Sequence, residues 1–157
     1  MTEYHKIQTL YKRDEVTHRL VEPLVIKNPV YGLLKEWVFT EKVDGTNIRC
    51  IWMDGKVTFG GKTDNAQIHA DLVRWLYENV TAGKMAAAFP GVRYVVLYGE
   101  GYGAGIQKGG GDYSATKKMI MFDVAVFDEN GHCWWLSDDN VRDCGRKLGL
   151  DVVPYVG

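Results

Sequence analysis

The run from Val38 to Phe59 constrains the fold more than any other stretch of the chain. Ile48, Cys50 and Trp52 alternate with Arg49, Ile51 and Met53, and Asp54-Gly55 follows at once. Strict alternation puts one set of side chains on each face of a strand, and an Asp-Gly pair readily adopts the positive φ angles of a tight hairpin turn. An antiparallel unit is therefore expected here. Tyr94 to Tyr98 and Met119 to Phe127 are further β-rich runs, and Asn130-Gly131 turns the second into His132 to Leu136. Ile68, Leu72, Trp75, Leu76 and Val80 recur at helical spacing, so a helix capped by Asp64 or Asn65 is expected through about Asn79. Ser137 heads a second helix that ends near Gly149, with Val141, Cys144 and Leu148 inward. Antiparallel strands with a few packed helices define an α+β domain. The first 36 residues are mixed and broken by Pro23 and Pro29, and read as an irregular wrap within a single domain spanning 1–157.

Size and charge narrow the function. A chain of 157 residues, 46% hydrophobic, supports one sizeable core. A net charge of −1 argues against a dedicated nucleic-acid binder, which needs concentrated positive charge. Transient contact with a strand is left to Lys108, Lys117, Lys118 and Arg49. Cys50, Cys133 and Cys144 have no C-x-x-C spacing, so neither a disulfide framework nor a zinc site is indicated. His5, His18, His69 and His132 have no paired ligand spacing and read as surface or cap residues. With no apolar run of membrane length and no signal-peptide layout at the start, a soluble cytoplasmic protein is expected.

The chemistry concentrates in Glu41-Lys42-Val43-Asp44-Gly45-Thr46-Asn47. A lysine amine of ordinary pKa ~10.4 is protonated at neutral pH, and making it a nucleophile there costs about 4 kcal/mol unless the site lowers that pKa. If the segment is a strand, Lys42 and Asp44 share one face. Asp44 alone would raise the lysine pKa, so the pairing makes chemical sense when Asp44 holds a hydrated divalent metal whose charge outweighs its own. The alternative reading is a plain hairpin with a solvated lysine. Glu100 ends an apolar strand between Gly99 and Gly101, glycines that would let a substrate approach the backbone. Two phosphate motifs fail. Gly99-x-Gly101-x-x-Ala104 is not followed by an amphipathic helix, and Lys56 stands where a P-loop ending at Gly61-Lys62-Thr63 needs glycine.

The segment Trp37 to Arg49 resembles motif I of the covalent nucleotidyltransferases, the superfamily of ATP-dependent ligases and RNA-capping enzymes. Gly60-Gly61-Lys62-Thr63-Asp64, Tyr98 to Gln107 and Met121-Phe122-Asp123-Val124 are similar to later stretches of the RNA ligase 2 group, in the same order. Asn47 stands where DNA ligases and capping enzymes usually have arginine, which favours RNA. The resemblance implies that Lys42 takes AMP from ATP with magnesium and passes it to an RNA 5′-phosphate for joining to a 3′-hydroxyl. It implies catalytic roles for Lys42, Asp44 and Glu100, with Asp44 and Glu100 holding the metal through water. It places Glu41, Asn47, Lys62, Arg49 and Phe122 around the nucleotide, Phe122 stacking on adenine. In the strand, Phe122 and Val124 are expected on one face, and Met121 and Asp123 on the other.

The family also uses a later Glu-Gly strand and a K-x-K strand. Beyond Asp128 the only lysine is Lys147, and no Glu-Gly pair follows. The chain thus reads as the N-terminal part of an adenylation domain lacking its last strands, to be completed by a C-terminal segment or a partner chain. The other readings are a DNA ligase or capping-enzyme relative, and a non-catalytic nucleotide- or RNA-binding module.

Overall fold

The computed structural model describes residues 3–156. The chain divides into two compact units, one of residues 3–4 with Thr40–Pro154, the other of His5–Phe39 with residues 155–156.

The larger unit is built on a five-stranded sheet: β1 (Thr46–Met53), β2 (Lys56–Gly60), β3 (Tyr94–Tyr102), β4 (Lys118–Phe127) and β5 (Cys133–Trp135). All neighbours are antiparallel, in the order β2-β1-β3-β4-β5. The expected hairpin is present, with Asp54 and Gly55 at φ 48° and 82°. Four helices accompany the sheet: α1 (Ala70–Asn79), α2 (Ala82–Ala88), α3 (Gly110–Tyr113) and α4 (Asp138–Leu148). This is the α+β fold the sequence predicts.

One sheet face packs on helices. Ile48, Cys50 and Trp52 of β1, Val95 and Leu97 of β3 and Met121 and Val124 of β4 meet Leu72, Leu76, Met85, Val141 and Leu148 in one buried cluster. Each such side chain contributes about 1.5–3 kcal/mol through removal from water. On the opposite face, Ile51, Val96, Tyr98 and Ala125 form a smaller cluster edged by Tyr4, Phe122 and Phe127.

One local expectation changes, one helix is added and one is met. Helix α1 begins at Ala70, not after Asp64, because His69 caps it by accepting the Asp71 N–H, while Asp64 is drawn to Arg49. Helix α2 has no clear apolar stripe in Ala-Gly-Lys-Met-Ala-Ala-Ala, yet Thr81 caps it and Met85 anchors it fully buried. Helix α4 follows Ser137 and stops where Gly149 adopts φ 69°, as its sequence predicts.

The smaller unit has little regular structure beyond a 3-10 turn at Pro29–Leu33. Isolated bridges pair Tyr11 with Ile26 and Arg13 with Leu20, and Lys12 and Lys27 exchange backbone bonds with Val25, Val21 and Leu10. Among the described residues no helix is long and apolar enough to cross a membrane.

Candidate active site

Thr40–Gly45 leads into β1 without being a strand itself, so the expected strand pairing of Lys42 with Asp44 is corrected. The outcome is similar for another reason. Val43 is 6% exposed and anchors the segment, which leaves Lys42 and Asp44 in solvent on either side of it. Glu41 donates its backbone N–H to the Pro154 carbonyl at 2.9 Å, and Gln107 Nε2 donates to the Gly45 carbonyl at 3.0 Å. The N–H of Gly45 donates to the Glu100 carboxylate. Gly45 is needed at this point: a Cβ there would collide with the backbone carbonyl of Gly101 in the facing strand.

Glu100 lies directly across the ladder from Asn47 and is half-buried. Burial pushes its carboxyl above the ordinary range, Lys42 and the Gly45 N–H pull it down, and Asp44 pushes it up again. Lys42, Asp44 and Glu100 are thus electrostatic neighbours. Its flanking glycines serve another purpose than the one expected. A Cβ at Gly99 would strike the Ile120 carbonyl and Met119, and one at Gly101 would strike Leu72. Both glycines face the helix-packed core, opposite to Glu100, and permit close packing rather than approach of a substrate.

Arg49 is only 1% exposed. Its Nε donates to the Gly61 carbonyl and its Nη2 to Asp64 Oδ1, each at 2.8 Å. The guanidinium therefore fastens the loop that carries exposed Lys62. Arg49 is buried and engaged, and so is unavailable as a surface contact for a strand. Two buried polar atoms, Asn47 Oδ1 and Arg49 Nη1, have no hydrogen-bond partner.

Phe122 is displaced from the expected alternation. Gly99 pairs with Met121 and Tyr98 with Asp123, so Phe122 is the extra residue of a β-bulge. Met121 and Val124 both join the helix-side core. Phe122 instead packs edge-on to Tyr4 with ring centroids 5.0 Å apart, and Tyr4 donates its hydroxyl to Asp123 at 3.0 Å. Burial and the Asp123 carboxylate push the Tyr4 phenol above its ordinary range. Phe122 and Asp123 consequently share the open face with Tyr98. The sequence gives no sign of Tyr4 at this position, whereas Gln107, at the end of the Gly-rich run and at φ 56°, is a supporting residue its neighbours could have suggested.

A family model of RNA ligase matches residues 35–157. The chain belongs to the RNA ligase family. No curated protein matches its sequence. Its fold is similar to that of Naegleria gruberi RNA ligase. A variant of that protein with AMP and manganese is matched at TM-score 0.61 and 16% identity, over 76% of this chain and 36% of the other. A variant without ligand gives 0.61 and 17% over 76% and 35%, and one with ATP and manganese gives 0.60 and 18% over the same shares. This RNA ligase family member spans about a third of the length of the solved structures it matches.

The residues fit a nucleotide with a divalent metal. Among the described residues no group of three or more His, Cys, Asp or Glu side chains forms a metal cage. Magnesium does not need one, since it keeps several waters and takes one or two carboxylates plus substrate phosphates. Asp44 and Glu100 are two carboxylates of the kind such an ion takes. The unpartnered Asn47 and Arg49 atoms add unused hydrogen-bonding capacity to the sheet face that carries Glu100.

Proposed function

We propose that this chain carries the adenylate-accepting pocket of an ATP-dependent RNA ligase. The observation that carries the reading is that Lys42, Asp44 and the Gly45 N–H all act on the half-buried Glu100 carboxylate. Lys42, once its ammonium has shed a proton, attacks the α-phosphorus of ATP. A phosphorus–nitrogen bond forms, the bond to the bridging oxygen breaks, and pyrophosphate leaves. An oxygen of an RNA 5′-phosphate then attacks the lysine-bound adenylate, releasing the lysine. Attack by an RNA 3′-hydroxyl on the activated phosphate finally joins the strands and releases AMP.

Each residue has a part in this scheme. Asp44 and Glu100 would hold magnesium through water, and that ion would supply positive charge that offsets the phosphates and favours the neutral amine of Lys42. Phe122 offers its ring to adenine, where stacking is worth roughly 1–3 kcal/mol. Asn47, Lys62 and the backbone at Glu41 bound the nucleotide, while Arg49 acts through the Gly61–Asp64 loop. The test is the intact mass of the protein after incubation with ATP and magnesium. A gain of one adenylate that disappears in Lys42→Ala supports the reading, and an adduct that persists in that variant overturns it.

A further inference from the structure

In the smaller unit, residues 6–27 enclose an open hollow of about 850 Å³. Its lining includes Lys6, Lys12, Arg13 and Lys27, opposed only by Asp14 and Glu15. The backbone places these cations. Bonds from Lys12 N–H to the Val25 carbonyl and from Lys27 N–H to the Leu10 carbonyl, both at 2.8 Å, tie together the two chain segments that carry them.

The cations are poorly neutralised from within. Among the described residues no carboxylate lies within ion-pair reach of Lys6, Lys12 or Lys27, and Arg13 donates to the His18 carbonyl, not to an acid. In the larger unit, by contrast, Arg49, Arg93, Arg142 and Lys147 each hold a carboxylate. Asp14 is held as an anion, its Oδ1 accepting from the N–H groups of Val16 and Thr17 and from the Thr17 hydroxyl, so with Glu15 it offsets two of the four positive charges and leaves an excess of two. Like charges gathered in one concavity raise its potential and contribute nothing to this unit's packing. The whole chain's charge of −1 conceals that local excess.

We infer that this hollow is a docking site for the phosphodiester backbone of an RNA strand, separate from the adenylate pocket. The choice of RNA as occupant rests on the ligase reading; the binding of a polyanionic strand does not. The basic residues lie on an irregular surface, and no Phe, Tyr or Trp ring is among the residues that line the hollow with them, which suits backbone contact without base stacking.

The experiment measures anisotropy of a fluorescein-labelled single-stranded RNA 12-mer with the 1–157 chain, without ATP, across a salt series. Single strands lose about 0.7 of log-slope per phosphate neutralised, so three or four contacts give a slope of about −2 to −3. Lys12→Glu/Lys27→Glu should weaken binding at least tenfold and flatten the slope, and Lys12→Gln/Lys27→Gln should do so to a lesser degree. The charge-matched control Lys35→Glu/Lys56→Glu should change affinity less than threefold. Equal losses in the control would overturn the assignment, as would unchanged binding in the hollow variants, no measurable binding at all, or equal competition by tripolyphosphate. The adduct on Lys42 is followed in parallel. Loss of RNA binding with the adduct intact supports the hollow, and absence of the adduct with RNA binding intact condemns only the ligase reading.

Discussion

Arg49, 1% exposed, donates to the carboxylate of Asp64 at 2.8 Å from inside the larger unit, while Asp64 itself is 44% exposed. The pair joins β1 to the loop after β2. Its inner end cannot be solvated by water if the outer end is lost, and one guanidinium nitrogen already lacks a partner.

Asp64→Asn should therefore destabilise the protein by about 1–2 kcal/mol, less than the 3–5 of a wholly buried pair because Asp64 retains water contact. The same change should lower affinity for ATP by freeing the loop that holds Lys62. Urea unfolding and calorimetric titration with ATP measure the two effects. An unaltered midpoint would mean that the Gly61 carbonyl alone satisfies Arg49.

Asp44→Ala and Glu100→Ala should each reduce metal-dependent adenylation at least tenfold. Asp54→Ala should not, although Asp54 also precedes a glycine. Asp54 is held by Arg93 at 2.6 Å in the hairpin turn, so its loss affects stability alone. Quenched time courses with radiolabelled ATP separate these outcomes, and equal losses in all three variants would point to turn geometry instead of metal binding.

Glu100 also predicts a pH effect. Its carboxyl is raised from the ordinary 4.5, chiefly by burial. A raised carboxyl favours the folded state while protonated, and that contribution is lost as pH rises through the folded value. Glu100→Gln keeps an oxygen for the Gly45 N–H and removes the buried charge. It should melt at a higher temperature than the wild type at pH 7, with the gap closing below pH 4.5. A constant gap across that range would show that charge is not the cause.

Phe122→Ala should weaken AMP binding by roughly 1–3 kcal/mol if the ring stacks on the base. Its edge-on contact with Tyr4 adds about 0.5–1.5 kcal/mol beyond the burial of the ring, so stability falls as well. Titration calorimetry beside thermal melting distinguishes the two. A stability loss with intact AMP affinity would make Phe122 a purely structural residue.

What the sequence made legible was what neighbours along the chain decide. The Asp54-Gly55 hairpin and the α4 stop at Gly149 depend on the φ angles of their own residues, and both are found. What escaped depends on distant partners. Asp64 looks like a helix cap until Arg49 claims it, and Gly99 and Gly101 look like a substrate approach until Leu72 and Met119 occupy their faces. Lys42 and Asp44, singled out by the motif, both act on the Glu100 carboxylate, while Arg49, which reads as a strand contact, is among the most buried side chains.

The bulge in β4 divides one strand into two phases. Upstream, Met119 and Met121 point into the helix-side core; downstream, Val124 resumes the same direction after two residues that both face outward. Phe122 thus sits at a position that neither half of the strand needs for its own packing. A chain with this slip can change the aromatic at this position while each half of the strand keeps its pattern. Deleting that single codon should straighten the ladder yet leave both methionines in place.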